Sequence, residues 1–426
     1  MVINPAFRWL WIGQLISNLG TQCSLYGIGL WSFARQGQLV DFAVVAFVVQ
    51  LAKISVLPLL GRHLVRWPSW VVMMVANGLG ALSTVVLALV LLASGTPSFL
   101  LVLTLLALAA VAEATLVLCF ASLIPALVPD PRQLARANGL FVSADGLVLS
   151  LAPFAGSALV AQAGLSGVLL LDGISFVIAM ACVLKAWPPG GKRHLLFRAP
   201  RQLPSVDDVP VTDLRLRSLI LHPHVRAVLC VGTAMAFVYA ASEVMFPAWV
   251  IAGPGQARLA PSLIVGALGY CCGYLFWTRW FWGRCSISLE FSLVAQSLIL
   301  MGAGLMVFQD WLVFWYGGLL VFSLGLPLAL SALQTRWQQL VSVDLLPQML
   351  AQRYRLEWVA RLVAFAISAV LVDGVLRPLL GWPHWPVWLI SSLGTGPGRN
   401  LAVGLGAMGW VLLLVWLSQR KAWMRA

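Results

Sequence analysis

Charged side chains make up only 10% of the 426 residues, and just 14 of them are acidic. So few charges cannot keep a large soluble surface in water. The seven cysteines show no CxxC spacing and lie mostly inside apolar runs, which excludes a disulfide framework and a zinc site. No Walker sequence is present, Gly302-Ala303-Gly304 lacks the strand context of a dinucleotide loop, and no Ser/His/Asp constellation occurs in the polar segments. An ATP-driven pump and an enzyme are therefore not expected, and no cofactor is called for. The pair His222 and His224 flanks a proline without further ligands and reads as an interfacial turn rather than a metal site.

What is abundant is apolar surface. Hydrophobic residues reach 61%, with a mean hydropathy of +0.93. At roughly 20 residues per bilayer crossing, that supply fills on the order of a dozen helices. The runs are continuous rather than alternating, so a β-barrel is excluded and the backbone in hydrocarbon must satisfy itself as helix. Twelve spans are expected, near 9-33, 42-60, 70-93, 98-126, 138-162, 166-186, 225-250, 260-281, 287-308, 311-333, 356-376 and 398-418. The first run holds Gln14, Asn18 and Gln22 and no small-residue cleavage site, so it reads as a span and not as a removable signal.

Net charge is +13. With the N-terminus in the cytoplasm, 22 of the 27 basic residues fall in inner segments and four in outer ones, while Lys53 lies within a span. The positive-inside rule thus puts both termini in the cytoplasm and accounts for the charge without a nucleic-acid partner. The longest polar stretch divides the chain into an N-terminal six-helix bundle at 1-186, a cytoplasmic linker at 187-224 and a C-terminal six-helix bundle at 225-426. A short basic loop recurs in each half, Asp130 to Arg136 and Asp344 to Arg353, as expected of paired bundles that rock about a central site. Segment 377-397, rich in Trp, Pro and Gly, reads as re-entrant or interfacial. Trp9, Trp67, Trp70, Trp187, Trp277, Trp280, Trp282 and Trp311 collect near span ends and suit an aromatic belt.

Several stretches resemble the major facilitator superfamily, and within it the bacterial macrolide-efflux and enterobactin-export branch. They are Asn4-Pro5-Ala6-Phe7-Arg8 running on to Gln14, Ser17 and Gly20; Leu134-Ala135-Arg136-Ala137-Asn138-Gly139-Leu140 with Pro153 and Gly156; Leu171-Asp172-Gly173-Ile174-Ser175-Phe176; and His222-Pro223 with Arg226. The superfamily's Gly-x-x-x-Asp-Arg loop is altered, with Val65 before Arg66 where the acid belongs. The resemblance implies an all-α membrane fold of twelve transmembrane helices in two pseudo-symmetric bundles. It also implies export of a small, amphipathic, drug- or siderophore-like molecule by alternating access and proton antiport across a bacterial inner membrane. Gate or packing roles fall to Arg66, Arg136, Asn138, Pro153 and Gly156.

Charges inside spans carry the chemistry, because each costs about 2.5–3.5 kcal/mol on insertion scales unless it meets water or a partner. Glu113 lies among small apolar residues and is either the proton-coupling carboxylate or a lysine-paired structural acid; Glu243 is its counterpart in the second half. Asp145 is a third coupling candidate, competing with simple exposure to the inner vestibule. Lys53 is either a cavity counter-ion to one of these or a snorkelling side chain. Gln14, Asn18 and Gln22 recur every four residues and, with Tyr239, are candidates to line the substrate cavity, the alternative being helix-helix hydrogen bonding. Asp172 and Asp373 are expected near the outer face as caps or gate contacts. The expected partners are a small-molecule substrate, protons and the lipid bilayer, with the chain a monomer. A non-pumping protein on the same scaffold, such as a flippase or an assembly or sensor subunit, and an uptake or uniport carrier remain the alternatives.

Overall fold

A computed structural model describes residues 4–36, 39–94, 97–187, 222–253, 255–277, 285–304, 312–380 and 398–424. Among them the chain is helical, with no strand. The helices are α1 (Pro5–Gln36), α2 (Leu39–Leu64), α3 (Ser69–Ser94), α4 (Phe99–Leu127), α5 (Pro131–Ala186), α6 (Pro223–Ala252), α7 (Leu259–Phe276), α8 (Cys285–Gly304), α9 (Leu312–Leu340), α10 (Leu346–Ala369) and α11 (Arg399–Met424). A π-helical turn, Val370–Leu376, and a short helix, Arg377–Leu380, continue α10. Ten helical stretches among the described residues are long and apolar enough to cross a membrane. The chain is an all-α, multi-pass membrane protein. Most of the 187-224 linker and of the 377-397 segment, together with Trp280, Trp282 and Trp311, lies outside the described residues.

Two compact units divide the chain: Met1–Ser205 with Val341–Arg355, and Val206–Leu340 with Leu356–Ala426. Segment 341–355, assigned from sequence to the second half, therefore groups with the first.

In the first unit α5 packs against α1 and α3, and α4 against α2 and α3. Spans five and six form one helical run broken at Gly164, whose φ of 68° and ψ of 173° are open only to glycine. The start of α5 is fixed by Asp130, whose carboxylate accepts from the Arg132 amide at 3.0 Å and from Gln133 Nε2 at 3.2 Å. The Asp130 to Arg136 segment that repeats in sequence is thus a helix cap. Gly164→Ala should destabilise the protein by about 1–3 kcal/mol, the cost of holding a Cβ in that conformation. Thermal unfolding in detergent measures it; an unchanged midpoint would contradict the strain.

A glycine heptad sets how closely α1 approaches the second arm of α5. A Cβ at Gly13 would stand 2.9 Å from Cys182 Cβ, one at Gly20 2.6 Å from Asp172 Oδ1 and Ser175 Oγ, and one at Gly27 3.1 Å from Leu165 and Val160. Partners fall in number as the glycines rise, so the two helices run antiparallel with backbones in near contact. On the other arm Gly156 abuts the Cys23 carbonyl, where a Cβ would be 3.2 Å away.

In the second unit α11 packs on α6 and α8, and α9 on α7 and α8. Trp315 Nε1 donates to Ser262 Oγ at 3.0 Å, tying α9 to α7. Two belt tryptophans depart from expectation. Trp277 is fully buried, and Trp187 is buried with its ring 6.3 Å from Trp70. Both belong to the helix packing, whereas Trp9 and Trp67 are exposed as an interfacial anchor requires.

Candidate functional site

In the first unit, the charges that hydropathy placed inside spans converge. Lys53 on α2 and Glu113 on α4 form an ion pair, Nζ to Oε1, at 2.6 Å, with side chains 12% and 18% exposed. Of the three carboxylates open to Lys53 on sequence grounds, Glu113 is the one it meets. Asp145, on the first arm of α5, accepts a hydrogen bond from Asn18 Nδ2 at 2.9 Å. Glu113, Asp145 and Asn18 line one cavity with Gln14, Ser17 and Thr21 from α1, walled by Trp11, Phe120, Phe141 and Phe176. Its volume is about 30 Å³, room for a water or two and far below the several hundred Å³ of a drug-sized site. The cavity suits an ion or water, not the whole of an amphipathic substrate.

The polar face of α1 differs from the one expected. Gln14 and Asn18 border the cavity, but Thr21 takes the place assigned to Gln22. A four-residue step overshoots the 3.6-residue turn by about 40°, so by the third member the face has rotated away and a three-residue step restores it. Trp11 Nε1 donates to the Leu140 carbonyl at 2.9 Å and holds this end of α1 against α5.

Asp172, expected near the outer face as a cap or gate contact, is buried within the helix packing. It is 1% exposed, packed between Gly20, Thr21 and Ser175. The close approach allowed by Gly20 draws it inside. Asp373, by contrast, lies exposed in the π-helical turn. Arg66 and Arg136 are exposed at helix ends, Asn138 is fully buried in α5, and Pro153 lies within the same helix.

In the second unit Glu243 on α6 pairs with Arg361 on α10, at 2.8 and 3.2 Å from one guanidinium nitrogen. Arg361 is a partner that the sequence reading does not name. The available signal was its position five residues into the apolar run starting at 356. Glu243 is 50% and Arg361 32% exposed, so this pair is far wetter than Lys53–Glu113. Tyr239 Oη donates to Gln296 Oε1 at 2.6 Å, and Gln296 Nε2 to the Phe322 carbonyl at 3.0 Å. Its hydroxyl is thus committed to tying α6, α8 and α9 together.

Glu243→Gln should change stability by less than about 1 kcal/mol, since water screens a half-exposed pair. Thermal unfolding of that variant beside Arg361→Met checks it; a loss several times larger in either would show the pair to be desolvated.

A multi-pass helical protein with an ion pair, a second carboxylate and a small polar cavity inside one helical unit has the makings of a secondary transporter. The sequence profile of the Major Facilitator Superfamily matches residues 10–351, and the chain belongs to that family. Among solved structures it is similar to a bacterial homologue of the iron transporter ferroportin in the outward-facing state, at 17% identity and a TM-score of 0.70, covering 99% of this chain and 98% of that one. The same homologue soaked with iron gives 17% identity and a TM-score of 0.66, with 98% of each chain covered. The human organic anion transporter MFSD10 is similar at 14% identity and a TM-score of 0.68, covering 97% of this chain and 99% of that one. No curated protein sequence matches the chain. Family and fold make it a membrane transporter, not an enzyme.

Proposed function

We propose that this transporter exports a small amphipathic molecule from the cytoplasm in exchange for protons, in the manner of the macrolide-efflux and enterobactin-export branch that its motifs resemble. The observation that carries the reading is the Lys53–Glu113 ion pair beside one polar cavity, lined by Glu113 and Asp145, within the apolar helices of the first unit. A carboxylate held there by a lysine can exchange its counter-ion for a proton. When Glu113 takes up a proton, the Lys53 ammonium is released and Asp145 becomes its natural partner; when the proton leaves, the 2.6 Å pair re-forms. Such a two-position lysine gives the unit two charge arrangements, which is what coupling of ion to conformation requires. Glu243 and Arg361 supply a wetter pair in the second unit. The related structures, described as an iron transporter homologue and an organic anion transporter, differ in cargo, so the amphipathic substrate rests on the motif resemblance.

In this reading the protein sits as a monomer in a bacterial inner membrane, with both termini and the 187-224 linker in the cytoplasm. Alternating access runs between bundles 1-186 and 225-426. The substrate, protons and lipid are its partners, and nucleic acid is not. The experiment is a retention screen of macrolides, catecholate siderophores and amphipathic dyes in cells with and without the protein, each with and without a protonophore. Lower retention of at least one compound, restored by the protonophore, is expected. Higher retention in expressing cells would mean uptake, and no difference across the panel would favour a non-pumping role.

A further inference from the structure

Asp172 belongs to no part of the coupling scheme above, yet it is the most deeply buried carboxylate among the described residues of the first unit. Its Oδ1 accepts from Thr21 Oγ1 at 3.4 Å and from Ser175 Oγ at 3.2 Å. Its Oδ2 is buried with no hydrogen-bond partner. Ser24, one helical turn beyond Gly20 on α1, is 3% exposed, and its hydroxyl lies beside the Asp172 carboxyl, close enough to interact with it. Oδ2 is thus a buried carboxylate oxygen outside the hydrogen bonds that hold Oδ1, at a cost of about 1–3 kcal/mol while unsatisfied.

Ser24 can donate to the ionised carboxylate but leaves its charge uncompensated, whereas a proton on Oδ2 removes the charge and gives an O–H that can donate to Ser24 Oγ. We propose that Asp172 is a second proton-binding site of this protein, its Oδ2–H held by Ser24. No electron moves: an O–H bond forms at Oδ2 at the expense of one in water, and breaks on release. Close packing selects the proton over a metal cation. On the Oδ1 side a methyl carbon at Gly20 would already stand 2.6 Å from both Oδ1 and Ser175 Oγ, so the helices leave no room there for an ion with a coordination shell. Access runs through Thr21, which borders the water-sized cavity on one side and bonds Asp172 on the other. A single hydroxyl thus separates the cavity of Glu113 and Asp145 from this carboxylate.

The surroundings leave Asp172 without a counter-charge. α3 carries no ionisable residue from Ser69 to Ser94. α1 presents the Cys23 thiol, whose Sγ donates to the Ala152 carbonyl at 3.9 Å, and the hydroxyls of Thr21 and Ser24. From α4 the nearest charge is Glu113, held by Lys53, and α5 itself adds only Ser175. A carboxylate so placed is neutralised by a proton or not at all.

This inference rests on the proton-coupled reading, but its test needs no transport. Acid-minus-alkaline infrared difference spectra of the purified full-length protein in lipid nanodiscs should show a protonated-carboxyl carbonyl band that Asp172→Asn removes. Asp145→Asn and Glu113→Gln should leave that band in place. Ser24→Ala should shift its frequency, and carries the test if Asp172→Asn does not fold. A wild-type spectrum without a band, a band surviving Asp172→Asn, or one indifferent to Ser24→Ala would overturn the assignment. So would loss of the band when sodium replaces potassium at fixed pH, which would place a metal cation on the carboxylate. A band that titrates as expected in a protein whose transport ignores the pH gradient would leave Asp172 as a proton site and sink the antiport reading alone.

Discussion

Lys53→Met should destabilise the folded protein by about 3–5 kcal/mol, the usual cost of removing one member of a buried ion pair. Glu113 is 18% exposed, and its second oxygen is buried without a hydrogen-bond partner, so little but Lys53 compensates its charge. Asp145 lines the same cavity. Adding Glu113→Gln should recover most of the loss, giving a coupling energy of about 2 kcal/mol in a double-mutant cycle. Thermal unfolding of the four proteins in detergent measures both the loss and the coupling. Additive losses would mean that the two side chains do not depend on each other, and Lys53 would then return to the snorkelling alternative.

Glu113→Gln should abolish accumulation against a gradient while leaving substrate binding within about threefold of wild type. The amide keeps the shape of the side chain and its carbonyl oxygen can still accept from Lys53, but it cannot exchange a proton. The Lys53 ammonium keeps the amide oxygen as an acceptor, whereas Lys53→Met leaves a carboxylate with little to compensate it, so this variant should fold better than Lys53→Met. Equilibrium binding and counterflow in reconstituted vesicles separate the two activities: counterflow needs only the alternation of access, whereas uphill transport needs the titrating group. Uphill transport at wild-type rates by Glu113→Gln would remove this carboxylate from the mechanism.

Much of the architecture was legible because hydrocarbon leaves the backbone no partner but itself, so an apolar run of about 20 residues has one stable form. Helix ends were less legible. α10 begins at Leu346, ten residues before its apolar run, since Arg353 and Arg355 lower the hydropathy without interrupting the helix. Lys53 and Glu113 stood out because opposite charges in mid-span each demand a partner. Arg361 lay close enough to the end of its run to pass as a loop residue, which hid the partner of Glu243. The burial of Asp172 was hidden for a different reason. Its burial depends on Gly20, about 150 positions away, letting α1 come close enough to cover it, and no local pattern records that approach. Gln22 shows the same limit on a smaller scale, where an even spacing drifted off the face it seemed to mark.

The central claim is that proton movement through the Lys53–Glu113 pair drives export. The most direct measurement uses wild-type protein in proteoliposomes carrying a pH-sensitive dye in the lumen, with a compound found by the retention screen added outside and no pH gradient imposed. The account predicts that the compound enters the lumen as protons leave it, so luminal pH rises with substrate dose, and that Glu113→Gln loses the pH change. Substrate flux of the same size with no change in luminal pH, or an equal change in wild type and Glu113→Gln, would contradict it.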